Sequence, residues 1–249
     1  MYGWRGRLGV ILPSLNVTTE YEFYRLMPSG VTAHFNRMEF TVAEKEEYDR
    51  MLKDVPSSVA KLDHAHVDAM AFACTSGSFY RGMEGEKEII QTMGRHTGVP
   101  CTTTSTAVVS LLRDLNVKSV DLGTPYEEWV NQSEKKYLES QGFHVSGFHG
   151  LGLRDYEVNR LTNEDVYRLA LQISAGKGEV TFLSCMGLPT VEVLDAIQQD
   201  TGKPVFSSNT ATLWMLLKMI GIYWELPGLR GVMENHEDTS GKRLTKYVG

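Results

Sequence analysis

The sequence predicts an α/β protein of two similar halves, each a doubly wound parallel sheet, related by pseudo-two-fold symmetry with the active site in the cleft between them. Three observations carry this expectation. Short apolar runs alternate with amphipathic stretches along most of the chain, as strands and crossover helices do in parallel sheets. Landmarks then recur at a near-constant interval: Pro13 and Pro125 lie 112 residues apart, Cys74 and Cys185 111 apart, and Thr97-Gly98-Val99-Pro100 returns 104 residues later as Thr201-Gly202-Lys203-Pro204. Finally, each repeat closes on a Ser/Thr-rich cap and an apolar helix, Ser105-Thr106-Ala107-Val108-Val109 and Asn209-Thr210-Ala211-Thr212-Leu213. Recurrence in the same order is the mark of duplication.

Taken in order, Leu8 to Leu12 is an apolar run closed by Pro13, as a central parallel strand and its loop would be. Thr18 or Thr19 caps a helix whose first turn holds Glu20 and Glu22, and Val31 to Phe40 reads as a strand. A helix is expected from about Ala43 to His64, kinked or divided at Pro56. Ala69 to Ala73 is a buried strand delivering Cys74; a helix follows from Met83 to Arg95, then a short strand near Cys101 and a helix from Ser105 to Leu115. The second cycle runs through a strand at Val117 to Leu122, a helix to about Gln141, a strand at Phe143 to Phe148 and a helix from Thr162. Val180 to Leu183 then delivers Cys185, and helix Thr190 to Thr201, strand Pro204 to Phe206 and helix Thr210 to Ile220 complete it. Trp224 to Gly249 reads as a polar tail. The expected division is a first half over 1–115, joined by a returning C-terminal segment of about 208–249, and a second half over 116–207.

Composition narrows the function classes. The 249 residues are 42% hydrophobic and 22% charged, with a net charge of −6 and no basic patch, which speaks against nucleic acid as a partner. The most apolar window, Leu213 to Trp224, is too short to span a bilayer, so no membrane partner is expected. No leader-like apolar segment follows Met1, and three cysteines without a CxxC pair do not form a disulfide framework, so a reduced, cytoplasmic protein is expected. No GxGxxG or Walker sequence calls for a nucleotide cofactor. No HExxH or paired Cys/His spacing calls for a metal.

The chemistry centres on Cys74 and Cys185. A lone free cysteine is most often an inert, buried residue. Two at matching places in a duplicated chain, each at a strand's end before small residues and a helix start, invert that preference, because amides at a helix N-terminus favour the thiolate. Cys101 has no counterpart and is expected in the core. Thr75 and Ser76 after the first cysteine, and Met186 and Gly187 after the second, offer hydroxyls and open amides of the kind that hold a carboxylate or an enolate oxygen; a small-residue βα turn would use the same residue types. Asn16, Tyr126, Asn159 and Asn209 fall in strand-end segments that could reach the same cleft, although surface hydrogen bonding is the commoner use of any one of them.

These stretches resemble a known family. The segment Leu12-Pro13-Ser14-Leu15-Asn16-Val17-Thr18-Thr19-Glu20, the run Cys74-Thr75-Ser76-Gly77-Ser78-Phe79-Tyr80-Arg81-Gly82, Gly123-Thr124-Pro125-Tyr126 and Ser208-Asn209-Thr210-Ala211 are similar to the aspartate/glutamate racemase superfamily, within it to the branch of maleate cis-trans isomerases and arylmalonate decarboxylases. The resemblance covers nearly the whole chain. It implies flavodoxin-like halves, no cofactor, and Cys74 and Cys185 on opposite faces of a small carboxylate or dicarboxylate. Thr75, Ser76, Tyr126, Met186 and Gly187 would hold one carboxylate, and Asn16 and Asn159 would bind the other or orient the thiols. Family habit also implies a homo-oligomer. The decarboxylases carry glycine at the place of Cys74 and no asparagine at that of Asn16, so both residues side with isomerases and racemases, while Phe79-Tyr80-Arg81-Gly82 leans to the decarboxylases. The expected activity is isomerisation of a dicarboxylate such as maleate, with Cys74 adding to the double bond and Cys185 as acid/base. Racemisation of an acidic amino acid by the two thiols, decarboxylation of a malonate with Cys185 as proton donor, and a dicarboxylate-binding regulatory protein are the alternatives.

Overall fold

The computed structural model describes residues 2–232. Its first sheet is built from β1 (Gly6–Pro13), β2 (Val31–Met38), β3 (Ala69–Phe72) and β4 (Cys101–Thr103), all parallel, in the spatial order β2-β1-β3-β4. Its second contains β5 (Ser119–Thr124), β6 (His144–Gly150), β7 (Val180–Leu183) and β8 (Val205–Ser207), again parallel and in the matching order β6-β5-β7-β8. Identical strand order in both sheets is what the recurring landmarks predict. The central strands are largely apolar because helices cover both faces: Leu8, Val10, Ile11 and Leu12 of β1, and Val180, Phe182 and Leu183 of β7, are all buried.

The helices of the first half are α1 (Thr19–Leu26), α2 (Lys45–Lys53), α3 (Val55–Asp63), α4 (Thr75–Phe79), α5 (Gly82–Gly94) and α6 (Thr104–Asp114). Those that follow are α7 (Glu128–Ser140), α8 (Asp155–Val158), α9 (Asn163–Ser174), α10 (Leu194–Thr201) and α11 (Ser208–Met219). The expected helix over 43–64 is two helices that meet at Asp54, with Pro56 in the first turn of α3. Proline is tolerated there because a first-turn amide has no carbonyl to bond.

Helix α10 starts at Leu194, not at Thr190. The amides of Thr190 and Val191 are drawn instead to the carboxylate of Glu22 on α1, which keeps the segment after Cys185 irregular. Helices α4 and α8 are short elements beyond those expected.

Helices α6 and α11, the equivalent last helices of the two cycles, pack on one another, and α11 also contacts α1, β3 and β4. The seam between halves is therefore a helix pair with the Thr104 and Thr212 hydroxyls in contact at 3.1 Å.

The start of the expected polar tail is not polar in its placement. Leu226 and Leu229 are fully buried, and Val205 of β8 donates its amide to the Gly228 carbonyl at 2.8 Å. That segment covers the edge of β8, a strand whose free backbone groups would otherwise face outward. The remainder of the tail, 233–249, lies outside the described residues. Among the described residues no helix is long and apolar enough to cross a membrane.

Candidate active site

In an open parallel sheet, ligands bind beyond the carboxyl ends of the strands where the chain order reverses, because two neighbouring loops there diverge and leave a crevice. Each sheet reverses at its central pair, β1/β3 and β5/β7. Asn16 follows β1 and Cys74 follows β3; Tyr126 follows β5 and Cys185 follows β7. The two crevices open into one narrow cavity of about 50 Å³.

Of the site residues expected from sequence, Cys74, Cys185, Asn16, Thr75, Ser76, Tyr126, Asn159, Met186 and Gly187 all line this cavity. Pro13, Leu15, Phe40 and Val158 complete the wall. No lysine, arginine, histidine or acid is among the lining residues, so an anion held there would be met by neutral donors.

Cys74 is the N-cap of α4, and its Sγ accepts a hydrogen bond from the Gly77 amide at 3.4 Å. An N–H aimed at sulfur stabilises negative charge on it. A side chain at 77 would crowd this contact, since an added Cβ would sit 2.9 Å from that sulfur and 2.8 Å from the Met51 methyl, so one or the other would have to shift. Thr75 and Ser76 supply the first amides of α4, which have no carbonyl partner inside the helix. The Thr75 hydroxyl donates to Ser208 Oγ at 3.0 Å, leaving its backbone as the group to offer a ligand.

Cys185 is built differently. It adopts φ 154°, which side-chain-bearing residues seldom take up. Its amide donates to Ser208 Oγ at 3.1 Å, and its Sγ accepts from the Gly187 amide at 3.2 Å. Ser208 thus ties the residue after one cysteine to the backbone of the other. The Tyr126 hydroxyl hydrogen-bonds Cys185; burial, then the nearby Cys185 and Glu134 charges, push its pKa well above that of a free phenol and keep it a donor.

Asn16 uses Oδ1 to accept from the Thr18 and Thr19 amides at 3.0 and 2.9 Å, leaving its NH₂ as the group available to the cavity. Asn159 reaches across the cleft to donate to the Leu15 carbonyl at 3.0 Å.

Asn209 does not line the cavity. It lies fully buried beneath the floor, donating to Glu22 at 2.7 Å and to the Met186 carbonyl at 3.1 Å and accepting from Thr19 at 3.0 Å. Thr18 and Thr19 add hydroxyl bonds to the Gly187 and Met186 carbonyls. The first half thereby holds down the segment after Cys185. Asn209→Ala would remove one donor from the Glu22 carboxyl and one from the Met186 carbonyl, while Thr190 and Val191 still donate to the first and Thr19 to the second. The expected cost is about 2 kcal/mol of folding stability, the range for losing a hydrogen bond to a carboxyl group; a urea denaturation midpoint close to the parent's would refute it.

Cys101 lies outside the cavity, its thiol donating to the Val99 carbonyl at 3.4 Å; burial pushes its pKa up to about 11, as suits an unreactive packing residue.

Four residues that matter here were not singled out as site residues from sequence: Ser208, Phe40, Glu22 and Glu134. Glu22 and Glu134 carried a signal. They lie 112 residues apart, the spacing of Pro13 and Pro125, and both are buried acids on the first helix of their half.

The sequence profile of the family described as arylmalonate decarboxylase matches residues 8–230. The arylmalonate decarboxylase of Bordetella bronchiseptica is 32% identical over 180 residues, 71% of this chain and 75% of its own length. A maleate isomerase of Geobacillus stearothermophilus is 24% identical over 236 residues, 89% of this chain and 94% of its own. Among solved structures, a cysteine-to-serine mutant of the Nocardia farcinica maleate cis-trans isomerase, with a covalently bound succinylcysteine intermediate, superimposes with a TM-score of 0.83 at 23% identity, covering 90% of this chain and 96% of that one.

Proposed function

The chain belongs to the arylmalonate decarboxylase family, and as an enzyme of that family we propose that it isomerises a small cis dicarboxylate such as maleate to its trans form. The observation that carries this reading is the pair of thiols lining one narrow cavity, each with an amide donated to its sulfur. A decarboxylase that needs a single proton donor would have no use for Cys74 in this position.

In the proposed reaction the Cys74 thiolate forms a bond to one olefinic carbon while the π pair moves onto the adjacent carboxylate as an enediolate. Tyr126 and the open amides of Thr75 and Ser76 hold the developing charge, as preorganised donors do in oxyanion holes. Cys185 gives its proton to the carbanionic carbon, and the carbon–carbon bond, now single, turns. Cys185 then takes the proton back and the C–S bond breaks, returning the thiolate. Covalent catalysis here replaces rotation about a double bond by addition and elimination, each with a lower barrier. Asn16 and Asn159 meet the second carboxylate, and the succinylcysteine seen in the Nocardia farcinica isomerase supports an adduct of this kind.

A second reading rests on the 32% identity to a decarboxylase and on the apolar wall of Leu15, Phe40 and Val158. In it a malonate loses carbon dioxide and Cys185 protonates the enediolate left behind. Proton NMR of maleate incubated with the protein should show fumarate, and a parallel assay of aryl- and alkylmalonates should release no carbon dioxide. Carbon dioxide release with no fumarate would replace the first reading by the second.

A further inference from the structure

Glu22 and Glu134 occupy equivalent positions in the two halves, yet they are used in opposite ways. Glu22 has every oxygen engaged, accepting from the Thr190 and Val191 amides, the Thr190 hydroxyl and Asn209. Glu134, 2% exposed, has one. Ser184 donates its hydroxyl to Oε1, and Oε2 has no hydrogen-bond partner and forms no ion pair among the described residues. A buried carboxyl oxygen left bare costs folding free energy, and such a group persists where function uses it.

Its surroundings point to that use. Ser184 is the residue before Cys185, and Tyr126, the hydrogen-bond partner of the Cys185 sulfur, is close enough to feel the Glu134 charge. Helix α7 also carries Asn131, which donates to the Tyr126 carbonyl at 2.8 Å and fixes that loop. One helix therefore positions the tyrosine and sets an acid behind it. Titratable groups on the neighbouring elements include Tyr126 on the loop after β5, Cys185 after β7, Tyr48 of α2, which acts on the same tyrosine, and, one turn along α7, Tyr137, which donates to Glu86 of α5.

We propose that Glu134 is a positioning residue for the reaction: a buried acid, hydrogen-bonded through Ser184 to the strand end that carries Cys185, whose charge state sets how readily the Cys185 thiol gives up its proton. The proposal rests on the reading of Cys185 as the acid/base. While the carboxyl is neutral it leaves the Cys185 thiolate accessible. Once ionised it opposes a second negative charge on the residue that follows Ser184, so the two groups would titrate as a coupled pair. Burial, only partly offset by the Ser184 hydroxyl, pushes the Glu134 pKa up to about 8, which places the change of state within the working range of a thiol.

The test measures the sulfur directly and needs no turnover. Replacing Cys74 and Cys101 by serine leaves Cys185 as the only cysteine of the three, and its alkylation by iodoacetamide is followed against pH. Glu134→Gln, which keeps the shape and removes the charge, should lower the midpoint by about one pH unit, the scale on which a neighbouring like charge acts. Glu134→Asp should retain part of the parent's midpoint. An unchanged midpoint in Glu134→Gln overturns the proposal, whereas a lowered midpoint, with a parent of intact cysteines that does not isomerise maleate, supports it while refuting the assigned reaction.

Stability supplies an independent readout. An acid whose pKa is raised on folding stabilises the fold below its unfolded value, and that contribution is lost as pH rises through the folded one. The melting temperature of the parent should therefore fall relative to Glu134→Gln between about pH 4.5 and about pH 8. Should Glu134→Gln fail to fold, Ser184→Ala serves in its place. It removes the donor that favours the ionised carboxyl, so the carboxyl stays neutral to higher pH and the Cys185 midpoint should fall, as in Glu134→Gln; an unmoved midpoint would overturn the proposal.

Discussion

Cys74→Ala should abolish the conversion of maleate to fumarate, with a loss of at least about four orders of magnitude in kcat, the scale seen when a covalent nucleophile is removed. The expectation follows from the division of labour between the two thiols. Cys74 is 4% exposed, caps a helix, and points a sulfur stabilised by the Gly77 amide into the cavity. Apart from Cys185, no lysine, serine–histidine pair or other activated nucleophile is among the lining residues. Cys74→Ser restores a hydroxyl but not its reactivity, since an alcohol lacks a neighbouring base here, and should remain as inactive as the alanine variant. The fold should survive, because the side chain's hydrogen bonds are those of a weak sulfur acceptor. Residual activity above about a tenth of the parent's in a folded Cys74→Ala protein would refute nucleophilic addition by this residue, for no single-residue substitute could sustain it.

Cys185→Ser should be almost as damaging but should fail at a different step. With the nucleophile intact and the proton donor replaced by a weaker acid, the overall rate should fall by about two to four orders of magnitude, the usual contribution of a positioned acid or base. The adduct on Cys74 should accumulate. Acid-quenched protein incubated with maleate would then gain the mass of one substrate, whereas Cys74→Ala would gain none. If the protein were a decarboxylase, the order of sensitivity would invert: Cys185→Ser would be inactive on a malonate and Cys74→Ser would retain activity. The two variants assayed on two substrates thus separate the two readings by pattern rather than by rate alone.

Both predictions rest on residues visible in the sequence, and the reason is local. Strand-to-loop boundaries are written in short-range signals: an apolar run of four to eight residues, then proline, glycine or small polar residues. Leu8–Leu12 before Pro13 and Val180–Leu183 before Cys185 have this form, so the ends of the strands, and with them the residues at the carboxyl edge, were legible. Duplication made each signal twice as informative. Elements whose limits depend on a partner across the fold were not legible in the same way. Thr190 reads as a helix cap, but its amide belongs to Glu22 of the other half. Trp224 onward reads as polar, but Leu226 and Leu229 find an edge strand to cover.

Asn209 and Glu134 mark the same boundary at the site. By residue type and position Asn209 suited a carboxylate. Its three hydrogen bonds to Glu22, Met186 and Thr19 are longer-range than any sequence window, and they turn it into a strut under the cavity. Glu134 and Glu22 share a spacing and a helix position, so sequence makes them look alike. Only the packing distinguishes a fully satisfied carboxyl from one with a bare oxygen.

By itself, then, the sequence determined the architecture of two matched parallel sheets and the placing of a cysteine at the end of one strand in each, because periodicity and strand-end chemistry are properties of contiguous residues. The tertiary structure alone decided which polar groups face the cavity and which brace it, because a hydrogen bond between residues more than a hundred positions apart exists only once the halves have packed.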